Sequence, residues 1–351
     1  MSQGYTEVDG PVRPRKKKRR GLAVLLTVLV LFLVAGLVAG MYIWNLGRTF
    51  DDNSQRLPDA FPAEETRPEV KEESKDAVNI LLLGSDTRAT RDEDEDADGF
   101  ATLPNGGRSD TMMLVHIPAD RDGIYVTSIM RDTWLDIPGV GTAKINRAFA
   151  SGGVPKAVET LEGLFGVRIN HVASIDFEGF KGLTDAVGGV TINNPNAFRP
   201  VHNKSYYFPQ GTQTLDGDQA LAFVRERKAF PGSDYQRVKN QQLFVKALLG
   251  QIISRDTLTS PTKVSNVVSE MSPFIAVDES LKASTIVKLA SGMLDVRSDD
   301  MTFFTLPNKG PGRSADGQSI VIPDMDVINK FGTALQEDKV DEFVATTDLS
   351  R

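Results

Sequence analysis

The chain of 351 residues contains no cysteine, which excludes disulfides, thiolate metal sites and cysteine nucleophiles. Its net charge of −7 is unevenly spread: residues 1–20 hold seven basic and two acidic side chains, so the remainder carries −12. Any phosphate site beyond residue 20 is therefore a local basic pocket in an acidic field.

The basic head, residues 1–21, includes RPRKKKRR and has no apolar periodicity. It is too short to fold a nucleic-acid reader, so no nucleic-acid partner is expected. Residues 22–44 (LAVLLTVLVLFLVAGLVAGMYIW) are uncharged; as a helix they reach roughly 35 Å, against a hydrocarbon core of about 30 Å. The basic flank before this run and the acidic one after it place the N-terminus in the cytoplasm. A cleaved signal peptide is the rival reading, but the run exceeds the usual h-region of about 7–15 residues and no A-x-A site ends it. The expectation is a single-pass signal anchor in the cell membrane with an extracytoplasmic domain.

Residues 45–77, rich in Asp, Glu, Lys and Pro, read as a solvated extracytoplasmic stalk. Residues 78–344 suffice for one large domain, and residues 345–351 read as a frayed tail. In that domain VNILLLG (78–84) has the continuous apolar run of a strand buried on both faces. Further strands are expected at 111–118, 123–130, 171–176 and 301–307, and helices at 154–166, 177–189, 216–228, 234–253 and 324–336. This order implies an α/β (α+β) fold, a central mixed sheet flanked by helices.

Charge gathers at the ends of these elements. Asp86 follows the first apolar strand, Arg108 and Asp110 precede the second, and Arg131 follows the third. If the first two strands are antiparallel, Asp86 and Asp110 meet at one sheet edge; two carboxylates without His or Cys suit a hard cation such as Mg²⁺. On each motif alone, strand-end capping and ion pairing account for the same residues. Arg225 and Arg227 diverge by about 200° on a helix and share a ligand only if the helix ends there. Asp234, Arg237 and Gln241 share one helix face. Arginine forks match phosphate oxygens, so Arg108, Arg131, Arg225, Arg227 and Arg237 around two acids form a candidate pyrophosphate cradle. The acidic run 91–99 lacks the calcium-loop pattern. His116 and His171 fall within strand patterns and read as structural.

The motifs NILLLGSDTR, GGRSDTMMLVHI, TSIMRDTW, KINRAFA, FVRERK and DYQRVKNQQ, in this order, resemble the LytR-CpsA-Psr family of wall-polymer ligases. The resemblance implies a long apolar pocket for a polyprenyl chain, with the pyrophosphate of a lipid-linked glycopolymer at its mouth and a peptidoglycan hydroxyl as acceptor. It assigns Asp86 and Asp110 to Mg²⁺ (or Mn²⁺), with Asp86, Asp110 and Arg131 as catalytic residues. Arg108, Arg131, Arg225, Arg227, Arg237, Gln241, Lys144 and Asn146 then contact the pyrophosphate. The family often carries a second arginine where this chain has Asn240, which leaves Lys239 as the stand-in charge. Two other readings use the same residues: a polyprenyl-pyrophosphate pyrophosphatase, and a non-enzymatic membrane-anchored envelope regulator. The two acids and five arginines at family positions favour chemistry over binding alone.

Overall fold

The computed structural model describes residues 40–86 and 108–349. The chain divides into two units, Met1–Leu46 and Gly47–Arg351. In the first, the described residues 40–46 are helical. Residues 1–39, with the basic head and most of the expected anchor, and the acidic run 91–99 lie outside the described residues. Among the described residues no helix is long and apolar enough to cross a membrane.

The second unit opens with helical residues 47–53 (α1) and is built on a seven-stranded sheet of order β1-β10-β7-β2-β3-β4-β11. Among the described residues the strands in chain order are β1 (Gln55–Leu57), β2 (Val78–Asp86), β3 (Arg108–Ile117), β4 (Ile124–Ser128), β5 (Trp134–Ile137), β6 (Gly141–Lys144), β7 (His171–Asp176), β8 (Val190–Asn194), β9 (Gly211–Leu215), β10 (Ile275–Asp278), β11 (Met301–Thr305), β12 (Asn308–Arg313) and β13 (Ser319–Pro323). The helices are α2 (Asn146–Phe165), α3 (Phe177–Ala186), α4 (Gly217–Arg225), α5 (Ser233–Ile252), α6 (Arg255–Leu258), α7 (Pro261–Met271), α8 (Ala283–Gly292), α9 (Met325–Gln336) and α10 (Val340–Thr346). The sheet is mixed: β2 runs parallel to β7 and antiparallel to β3, and β4 is antiparallel to β3 and parallel to β11. The apolar run of β2 takes the centre, as its composition requires.

One face of the sheet packs Leu81, Leu83, Met112 and Leu114 against α2 and α9, where the rings of Phe165 and Phe331 meet edge-on at 5.5 Å. On the other face Met113, Val115 and Val126 meet Val245 and Leu249 of α5. A second apolar cluster joins α3, α4 and α5 to the β8–β9 hairpin around Phe198, Phe208, Phe223 and Phe244. One row breaks the symmetry of burial. Val78, Ile80 and Leu82 of β2, on the α5 side, are only half-buried, although β2 is the middle strand. With Val245 and Leu249 of α5, that row packs on the cluster of Met113, Val115 and Val126 and stays only partly covered.

Three expectations change. Residues 45–77 do not form a stalk, since β1 is the parallel edge partner of β10 and Leu57 and Ala60 are buried in the core. Arg67 sends its guanidinium to buried Glu162 (Nη2–Oε1 2.6 Å) and to the Ile169 carbonyl (2.8 Å). Polar composition conceals this docking because a three-residue strand and one paired arginine need few apolar side chains. The tail is not frayed from residue 345: α10 runs to Thr346, and Leu349 packs on the core. The helix expected from residue 154 begins at Asn146 and breaks at Gly152–Gly153, where φ of +66° at Gly153 requires glycine.

Candidate active site

The C-terminal ends of β2, β4, β7 and β11 and the N-terminal end of β3 lie on one edge of the sheet, because the parallel and antiparallel pairings put them there. The β2–β3 register pairs Gly84 with Thr111, Ser85 with Ser109 and Asp86 with Arg108. Asp110 is therefore the extra residue of a bulge, a device that bends a strand and redirects it near functional sites. The backbone thus brings Asp86, Arg108 and Asp110 to one edge, and the antiparallel pairing on which their meeting depended is present.

The arginine segment closes on this edge from the α4–α5 connection. Helix α4 ends at Arg225, and Glu226 is extended (φ −67°, ψ 130°), which meets the condition for Arg225 and Arg227 to reach one ligand. The Arg225 guanidinium lies 4.4 Å over the ring of Phe177, the residue directly after β7. Arg227 Nε is 2.7 Å from Asp234 Oδ1, and Arg237 Nη2 is 3.3 Å from the same oxygen. Arg237 is buried at 5% exposure. A shared carboxylate fixes two guanidinium groups that would otherwise repel each other.

Two glutamine-type side chains of α5 lock this geometry. Gln241 Nε2 donates to Thr111 Oγ1 at 3.0 Å, one residue beyond Asp110, and to the Val224 carbonyl at 3.4 Å. Asn240 Nδ2 donates to the Phe223 carbonyl at 3.5 Å. Together they satisfy carbonyls in the last turn of α4, which no helical N–H can reach, and so set where Arg225 emerges.

Beyond β4, Met130 packs on Val238 of α5, and Arg131 follows it at the site. Asp132 receives Arg131 Nε at 3.7 Å and Lys144 Nζ at 3.3 Å, while the Arg131 carbonyl accepts from Asn146 N at 3.2 Å. Lys144 and Asn146 are thereby gathered with Arg131. Strands β7 and β4 stand three places apart, so Arg225 and Arg131 flank the edge from columns about 14 Å apart. Cations outnumber acids here, in a chain of net charge −7.

Sequence reasoning missed four residues. Asp132, Tyr235 and Gln242 stand inside the motifs TSIMRDTW and DYQRVKNQQ, which do not by themselves show what these side chains touch. Tyr235 Oη donates to Asn308 Oδ1 at 2.8 Å, and burial raises its pKa, which keeps it a phenol. Gln242 Nε2 bridges Ser128 Oγ (3.0 Å) and Thr305 Oγ1 (3.3 Å), tying α5 to β4 and β11. Phe177, the platform under Arg225, had no signal, since only the fold brings β7 to α4.

The sequence profile of the LytR_cpsA_psr family matches residues 47–337. The chain belongs to this family. A protein of Oceanobacillus iheyensis named polyisoprenyl-teichoic acid–peptidoglycan teichoic acid transferase TagU is 36% identical over 265 residues, spanning 73% of this chain and 78% of its own length. One of the same name from Enterococcus faecalis is 31% identical over 296 residues, spanning 83% and 88%. The crystal structure of B. subtilis TagV shares the fold at a TM-score of 0.62 and 24% identity, covering 76% of this chain and 98% of that one.

One feature of this LytR_cpsA_psr member corrects a sequence expectation. Lys239 does not stand in for the absent arginine. It is exposed, two residues from Arg237 and so about 200° around α5 from the face that carries Arg237 and Gln241. Asn240, at 2% exposure, instead supports α4 from beneath.

Proposed function

We propose that the chain is a membrane-anchored phosphotransferase that moves a glycopolymer from a polyprenyl-pyrophosphate carrier to a hydroxyl of peptidoglycan. The observation that carries this reading is the approach of an apolar row to the cradle: the half-buried row Val78, Ile80, Leu82 runs up β2 toward the edge where the arginines gather and ends four residues before Asp86. A lipid tail along that row brings its pyrophosphate to Arg131, Arg225, Arg227 and Arg237.

In this reading the acceptor oxygen attacks the phosphorus that bears the polymer. The bond between the two phosphates breaks, and polyprenyl phosphate leaves. Phosphoryl transfer needs positioning and charge stabilisation more than covalent chemistry, and fixed guanidinium groups supply both. The β2–β3 register sets Asp86 and Asp110 on adjacent strand ends, and carboxylates are donors for a hard divalent cation, so these two would hold Mg²⁺, or Mn²⁺ in its place. A bound cation supplies further neutralisation of phosphate charge. One of Asp86, Asp110 or Asp234 takes the proton of the acceptor hydroxyl. Of these, Asp234 is already engaged by Arg227 and Arg237. The anchor is residues 22–44, with the N-terminus in the cytoplasm.

Arg225→Ala removes an exposed side chain and should abolish transfer while the chain keeps its thermal midpoint and membrane association. Full transfer to peptidoglycan by that variant sinks the cradle. Release of polymer phosphate to water at the same rate with and without peptidoglycan would identify a pyrophosphatase instead.

A further inference from the structure

The β8–β9 connection, residues 195–210, is a built surface. Phe198 and Phe208 exchange backbone hydrogen bonds of 2.9 Å across its base, and Asn194 Nδ2 donates to the Pro209 carbonyl at 2.7 Å. Its floor is aromatic: the Phe198 ring lies 4.8 Å from Phe230 and 5.4 Å from Phe223. The loop is thus held in one shape while its outer side chains face solvent.

The charged residues of the loop are all basic. From Val187 to Leu215 the chain has no acidic residue, although its net charge is −7. Arg199, His202 and Lys204 are exposed. The Arg199 guanidinium lies 4.8 Å over the ring of Tyr207, which is itself 53% exposed. An open ring backed by a cation and flanked by others suits a saccharide that carries anionic groups.

The loop is also joined to the arginine segment. Glu226, at 2% exposure between Arg225 and Arg227, accepts from Val201 N (2.8 Å) and Ala229 N (2.7 Å). Its carboxylate is buried in the joint and adds no exposed negative charge to the outer side of the loop.

We infer that this loop is the acceptor subsite, which holds a peptidoglycan strand by its sugar faces and stem carboxylates; the inference rests on the transferase reading. The donor is already fixed by lipid and pyrophosphate, whereas the acceptor has neither and must be positioned through its saccharide.

The test uses the full-length chain in detergent, sedimented with purified peptidoglycan sacculi freed of secondary polymers. Arg199→Glu combined with Lys204→Glu, and separately Tyr207→Ala, should weaken sacculus binding and raise the acceptor KM by about tenfold or more. Affinity for polyprenyl pyrophosphate and the thermal midpoint should stay at the parent values. Unchanged sacculus binding in both variants, or a loss of donor affinity in place of acceptor affinity, overturns the subsite. A parent chain that fails to bind polyprenyl pyrophosphate overturns the transferase reading separately, because sacculus binding is read without donor.

Discussion

Asp234 carries more than its own charge. Its one carboxylate oxygen organises Arg227 and Arg237, and Arg237 is buried. Asp234→Ala takes away the carboxylate that both guanidinium groups share, one of them buried, and should cost roughly 2 kcal/mol, seen as a lower urea midpoint, whereas Arg227→Ala should cost under about 1 kcal/mol. Two other acids make stability depend on pH. Burial of Asp278 raises its pKa, but hydrogen bonds from His171, Ser280 and Val172 outweigh that and hold the carboxyl below the usual range. Asp338 behaves likewise, with burial offset by His116 and the Ala119 amide. A lowered folded-state pKa gives stability that is present above the unfolded value of about 3.9 and is lost as pH falls through the folded value. Thermal melts of Asp278→Asn should therefore lie well below the parent at pH 7 and converge with it below about pH 4; a constant gap would contradict this. At this scale the sequence singled out the arginines and aspartates at the strand ends, and it placed His116 and His171 within strands, where they pair with Asn79, Asp338 and Asp278. It did not show partners such as Phe177 under Arg225, which lie 48 residues apart in the chain and meet only through the fold.

At the scale of elements, the bulge at Asp110 depends on Gly84. A Cβ there would come within 3.0 Å of Thr111 Cβ, and Thr111 Oγ1 is the acceptor that ties Gln241 to the strand pair. Gly84→Ala should displace Thr111 by a few tenths of an ångström and reduce transfer more than it lowers the melting temperature, by about 1–2 kcal/mol of stability at most; equal parent activity would separate the bulge from the site. The core strands and helices were legible because long apolar runs and helical spacing mark buried elements whatever their neighbours. The hairpins β5–β6 and β8–β9 and the edge strand β1 were not. GTAK, GTQTL and QRL carry too few apolar residues to announce strands, and their pairing is supplied by partners elsewhere in the chain.

For the whole molecule, the composition boundary at residue 78 is not a structural one. A chain begun there loses β1, the Leu57 and Ala60 contacts and the Arg67 partner of Glu162, which at 1% exposure becomes a buried carboxylate lacking its cation. Expression from residue 47 should yield a monodisperse, cooperatively melting protein, and expression from residue 78 an aggregating one; size-exclusion chromatography separates the outcomes. The parallel pairing of β1 with β10 has a consequence in time. Gln55 finds its partner at Ala276, so the edge of the sheet nearest the N-terminus waits until some 220 further residues have been made. Such distant contacts slow folding, and a chain that emerges N-terminus first holds residues 55–57 unpaired for most of its synthesis. Assembly of this domain is thus ordered from the centre outward, with the first strand made among the last to be placed.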